Sequence, residues 1–287
     1  MRPADALTAL LVTFLWGMNF AIAKAGVLQI PPLLFVCLRF VLVAALLLPL
    51  VRIPRGRLWE IAGLSVTLGV LHFALMFNGL RHVDAAVAAI TIQVQVPFSA
   101  LLAAMLYGER LGWQRAFGMA VAIAGVAILA GSPQTASAPW AVGLVVAAAL
   151  VWAVSNTQMK RLANVNGFAV NGWLGLFAAP QLALGSLLFE HRQAAALDAA
   201  DWYAWAAIVY QAVVVVAVCY GLWYRLLGRY GFNQVIPFTL LVPLWGVLSG
   251  VLMLGEPITW PLLLGGATTL AGVAVIVFRR PDAPGPS

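Results

Sequence analysis

The chain has 287 residues, of which 63% are hydrophobic and only 9% charged. Soluble domains carry about 25% charged residues, so this chain cannot dress a water-facing surface, which argues against a soluble enzyme or a nucleic-acid-binding domain. The net charge of +7, from 16 basic and 9 acidic residues, takes its meaning from where the basic residues fall.

A helix needs about 20 mostly apolar residues to cross roughly 30 Å of hydrocarbon. Ten such runs are expected, at 5–26, 32–51, 59–80, 84–107, 112–130, 140–161, 168–189, 203–226, 232–254 and 260–278. Pro31-Pro32, the Arg52–Arg57 stretch, the linker at 132–139 and the polar loop Glu190–Asp201 separate them. The fold class is therefore an all-α membrane protein. The first run is too long for the apolar core of a signal peptide and lacks a small-residue cleavage site. The tail 281–287 is rich in Pro and Gly and is expected to be disordered on the cytoplasmic side. No P-loop is present, so neither ATP hydrolysis nor an ATPase subunit is expected.

Cofactors and metals are not expected either. Cys37 and Cys219 are isolated in apolar runs, and the three histidines (72, 82, 191) are scattered.

Lysine and arginine counts orient the chain. Arg2, Arg52, Arg55, Arg57, Arg110, Arg115, Lys160, Arg161, Arg225, Arg229, Arg279 and Arg280 lie on one side, against Lys24, Arg81 and Arg192 on the other. Both termini are therefore expected in the cytoplasm of a bacterial-type inner membrane. Anionic headgroups account for the charge without nucleic acid.

Gly108-Glu109 and Trp113, with the later Gly118 and Gly125, recur as Gly255-Glu256 and Trp260 with Gly265 and Gly272, at a constant offset of 147. Trp16 and Lys24 recur as Trp152 and Lys160 at an offset of 136. The chain thus divides into a first five-helix repeat at 1–131, the linker 132–139, and a second at 140–280. Five is odd, so the second copy must insert upside down. Inverted repeats are a transporter architecture with the substrate near mid-membrane.

The doubled five-helix plan, Trp16-Gly17-Met18-Asn19-Phe20, Arg39-Phe40, and the paired endings Tyr107-Gly108-Glu109 and Leu254-Gly255-Glu256 resemble the EamA-like members of the drug/metabolite transporter superfamily. The resemblance covers nearly the whole chain. It implies an exporter of small organic metabolites. The aromatic-rich chain is also similar to bacterial aromatic amino-acid exporters.

Polar residues at membrane depth face a cavity or a partner. Trp16, Asn19 and Phe20 share a stripe of the first run, and Trp152, Ser155 and Asn156 share the equivalent stripe of the sixth. They suit a zwitterion with an apolar side chain, or they join helices. His72 and Met76 lie on one face of the third run. His72 can carry a proton or donate one interhelical hydrogen bond. In the fourth run Gln95 shares a face with Thr91 and Ser99, and Pro97, one turn after Gln93, is expected to kink the helix and free the Gln93 carbonyl. Pro237 and Pro243 do the same in the ninth run, and are expected to free the carbonyls of Asn233 and Thr239. Tyr210, Gln211, Tyr220 and Trp245 complete the candidate pocket. Arg39, the one permanent charge deep in a run, either clamps a substrate carboxylate or is tethered to carbonyls or Glu109. The resemblance favours the tether. Glu109 and Glu256 read as repeated corners, structural or gating.

Because no carboxylate lies mid-span, a cation/proton antiporter is disfavoured. The expected function is secondary export of amino acids or related metabolites, aromatic and large apolar ones first, by alternating access as uniport or exchange. The alternatives are export of nucleobase-like metabolites or hydrophobic drugs, with or without protons, and, in other classes, a passive channel or a lipid-modifying enzyme. Gly118, Gly125, Gly265, Gly266 and Gly272 read as packing positions within the fold or between the two copies of a homodimer.

Overall fold

The computed structural model describes residues 1–108, 112–132, 138–230 and 232–278, the side chains of 107, 232 and 233 excepted. Glu109, most of the linker 132–139 and the tail 281–287 lie outside the described residues. Ten helices there are long and apolar enough to cross a membrane: Pro3–Gln29, Pro32–Leu50, Leu58–His82, Ala85–Leu106, Trp113–Ala130, Pro139–Arg161, Gly167–Phe189, Trp202–Tyr230, Ile236–Leu254 and Trp260–Val277, the first to the tenth span.

The ends follow local chemistry. Pro3 occupies the first turn, where a missing N–H is harmless. The first span then continues past the expected boundary to Gln29, stopping where Pro31 drives Ile30 into an extended conformation (φ −108°, ψ 134°). Asp201 caps the eighth span, accepting hydrogen bonds from the N–H groups of Tyr203 (2.9 Å) and Ala204 (3.2 Å). That span runs on to Tyr230, and the ninth begins only at Ile236, beside Pro237.

Irregular helix falls in the same places of both sets of five spans. The third and eighth spans contain wide π-helical turns at Ser65–His72 and Tyr210–Cys219. The fourth and ninth contain tight 3-10 turns at Ile92–Val94 and Ile236–Leu241. The tight turn corrects one expectation. The Thr239 carbonyl is not free, because the Val242 N–H bonds to it. Pro243 stands in the first turn of the α-helix that follows, where it interrupts no ladder.

Span pairing is also doubled. The second packs on the seventh and the fifth on the tenth. The first packs on the eighth and ninth, the sixth on the third and fourth, and the fourth crosses the ninth. Shifting every span by five reproduces the same set.

Lipid offers helices no hydrophobic incentive to associate, so close backbone approach carries the contacts. Side chains added at Gly118, Gly125, Gly265 or Gly272 would strike the facing span of the fifth–tenth pair. These four glycines are thus used within the fold. Gly17 brings the first span against Trp245 and the Gly246 backbone, and Gly175 brings the seventh against the Phe40 carbonyl. Phe35, Ile61, Leu64 and Leu80 are fully enclosed, whereas Trp59, Leu187, Leu252 and Trp260 point outward, as an apolar solvent permits.

Candidate functional site

The third span supplies His72 at the end of its π-helical turn. The ring is buried, and Nδ1 lies 2.9 Å from the Ala148 carbonyl of the sixth span. A carbonyl only accepts, so Nδ1 carries the proton and a neutral His72 leaves Nε2 as an acceptor. Ring centroids place Trp152 and Phe73 each 4.8 Å from His72. Met76 lies buried one turn further along. The interhelical bond and the ring contact with Trp152 therefore occur together in His72.

The eighth span meets the first in a second aromatic group. Trp16 stands 5.0 Å from Trp223 and 5.6 Å from Tyr220, and Tyr220 stacks on Tyr224 at 6.0 Å. Trp16 Nε1 and Asn19 Oδ1 are buried without hydrogen-bond partners.

Arg39 of the second span connects the two groups. Its guanidinium carbon lies 4.3 Å from the centre of Phe73 and 5.2 Å from that of Phe40, and Tyr220 packs against the cluster that Val43 and Leu47 of the same span form with Ala212 and Val216 of the eighth. The structure thus brings together Trp16, His72, Trp152, Tyr220 and Arg39 from five spans.

Other expected residues are placed differently. Tyr210 donates its hydroxyl to the Leu15 carbonyl at 2.8 Å, joining the eighth span to the first. Gln211 is fully enclosed, and both amide atoms lack partners. Ser155 is buried and bonds back to the Val151 carbonyl at 2.8 Å, a common resting place for a helical serine. Asn156, on the same span, is half-buried. Trp245 meets Phe14 edge-on at 5.4 Å, with its Nε1 unpartnered. Phe20 lies beside Gly246. Gln93 is buried in the 3-10 turn, Gln95 is half-buried, and Pro97 lies two residues further along.

Glu256 forms a buried corner at one end of the bundle. It accepts hydrogen bonds from the Ala85 and Ala86 N–H groups at the start of the fourth span. Lys24 approaches both Glu256 and Asp84 at 3.7 Å, and also bonds the Val83 carbonyl. At the same end, Glu190 accepts from the N–H groups of Leu33 (2.7 Å) and Leu34 (3.1 Å) and from the Ser186 hydroxyl (2.7 Å). At the other end Asp5 meets Arg229 and Tyr230. Among the described residues no cluster of three His, Cys, Asp or Glu could hold a metal ion.

Phe73, Trp223 and Glu190 are contributions that sequence reasoning missed. Trp223 had a usable signal, since it lies three residues after Tyr220 and so shares its face. Phe73 read only as another apolar neighbour of His72. Nothing local announces that Glu190 reaches the second span.

Comparison with known proteins agrees with this architecture. A solved crystal structure, 22% identical and covering 96% of each chain, shares the fold with a TM-score of 0.62. A protein of Salmonella typhimurium named a probable amino-acid metabolite efflux pump is 33% identical, over 97% of this chain and 96% of its own length. One of Streptantibioticus cattleyicolor named a probable terminal-alkyne amino-acid exporter is 32% identical, over 80% of this chain and 76% of its own. The EamA-like transporter family matches twice, at residues 5–131 and 139–278, once for each set of five spans. The chain is therefore a multi-pass membrane protein, a transporter rather than an enzyme, and it belongs to the EamA-like transporter family.

Proposed function

We propose that this protein exports amino acids or closely related metabolites, with aromatic and large apolar side chains preferred. The observation that carries the reading is the ring contact of His72 with Trp152, drawn from different sets of five spans, with the Trp16–Tyr220 pair packed beside the second span, which carries Arg39. Stacked and edge-on rings accept flat apolar side chains, and the unpartnered Oδ1 of Asn19, one turn from Trp16, can accept a hydrogen bond from a polar group. The names of the two relatives point to the same solute class.

The two sets of five spans are inverted repeats with both termini in the cytoplasm of a bacterial inner membrane. Alternating access follows from rocking them about the mid-membrane site. The wide and tight turns at matching places of both sets provide the bending points. Without a mid-span carboxylate among the described residues, exchange or uniport is the simplest cycle.

The test is counterflow in liposomes holding the purified protein, using labelled phenylalanine, methionine, lysine and uracil at equal and at imposed pH. Saturable phenylalanine accumulation at equal pH is expected. Uracil movement without amino-acid movement would replace this reading with nucleobase export. Accumulation only under a pH gradient would make the cycle proton-coupled, with His72 the first residue to substitute.

A further inference from the structure

We propose that Arg39 is the carboxylate-binding residue of the site, so that the protein selects solutes bearing a carboxylate; this rests on the export reading above. The guanidinium belongs to a residue only 4% exposed, and Nε is buried without a hydrogen-bond partner. Among the described residues Arg39 forms no ion pair and no hydrogen bond. A permanent cation at membrane depth demands compensation, and among the described residues it meets ring faces, Phe73 at 4.3 Å and Phe40 at 5.2 Å.

Six carboxylates of the described residues are committed elsewhere. Asp5 meets Arg229, Glu60 meets Arg57, Asp84 and Glu256 meet Lys24, Glu190 caps the second span, and Asp201 caps the eighth. A solute's carboxylate would supply the anion that these six do not.

Geometry favours a carboxylate over a diffuse anion. A ring stacked on one face of a guanidinium leaves its edge, where the N–H groups project in a planar fork matching two carboxylate oxygens. His72 lies against Phe73, and Trp152 against His72. A solute held at that edge would place its side chain among those rings and Tyr220. An ammonium group is not needed for such capture, so the inference extends to carboxylates without one.

The experiment measures ligand-dependent thermal stabilisation of the purified protein in detergent. The probes are phenylalanine, 3-phenylpropionate, phenylalaninamide and phenethylamine. The wild type is expected to respond to the two carboxylates, and the amide and amine to bind at least about thirtyfold more weakly, the scale of leaving a buried charge unpaired. Arg39→Gln should abolish the distinction, and Arg39→Lys, which keeps charge but loses the fork, should retain part of it. Equal response to phenylalanine and phenethylamine would overturn the carboxylate role while leaving amino-acid export standing. Response to 3-phenylpropionate but not to phenylalanine would uphold Arg39 and overturn the amino-acid preference. No response to either carboxylate would overturn the proposal. The wild-type comparison decides even if the Arg39 variants do not fold.

Discussion

The Glu256 carboxylate accepts a hydrogen bond from the Ala85 N–H at 2.6 Å, across 171 positions of the chain. A second bond to Ala86 (3.0 Å) and the nearby Lys24 ammonium complete the corner. An anion at a helix N-terminus satisfies N–H groups that lack helical partners and meets the favourable end of the helix dipole. Glu190 does the same for the second span. These two carboxylates fix where spans two and four begin, and hence the depth of Arg39 and Gln93.

Glu256→Ala should lower unfolding stability in detergent by about 2 kcal/mol or more, since two buried donors lose their acceptor. Glu256→Gln should lose less, keeping one acceptor oxygen. An unchanged unfolding midpoint for the alanine variant would show that the corner contributes no stability.

A leucine at Gly272 would enter the backbone of Ala122 and Gly118. Gly272→Leu should separate the fifth and tenth spans and cut the yield of monodisperse protein, overpacking being worth about 1–3 kcal/mol or more. Gly143→Leu, where nothing lies within 4 Å, is the control and should purify as the wild type does. Equal yields of the two variants would contradict the crossing.

Trp152→Ala removes the ring facing His72. The KM for phenylalanine counterflow should rise by up to about tenfold, the scale of one aromatic pair, at equal protein in the liposomes. Trp245→Ala, whose aromatic neighbour is Phe14, should raise it less. The reverse order would move the site toward the ninth span.

The N-terminal end of the first span is tied to the eighth through Asp5, Arg229 and Tyr230. Cys219 is buried behind this tie, with Ala9 and Val12. Asp5→Ala should therefore speed N-ethylmaleimide reaction at Cys219 severalfold, with no change at Cys37, whose thiol faces the Ala179 carbonyl. Equal acceleration at both cysteines would mean general loosening rather than opening between the first and eighth spans.

The sequence alone determined the ten spans, because apolar length is a local property set by bilayer thickness. It also revealed the doubled Gly-Glu corners and the stripes of the first and sixth spans, because a helical period assigns residues to faces. It did not determine which face meets which. Trp16 and Trp245 looked equally suited to the pocket, but in the tertiary structure they have different aromatic neighbours. Tyr210 looked like a ligand group and is an interhelical tie. Arg39 read most simply as a tether, yet only packed spans could show that no carboxylate of the described chain reaches it. A period specifies orientation about one axis, whereas partnership depends on the positions of all ten axes. Those are set by glycine crossings and by carboxylates acting across more than 150 residues.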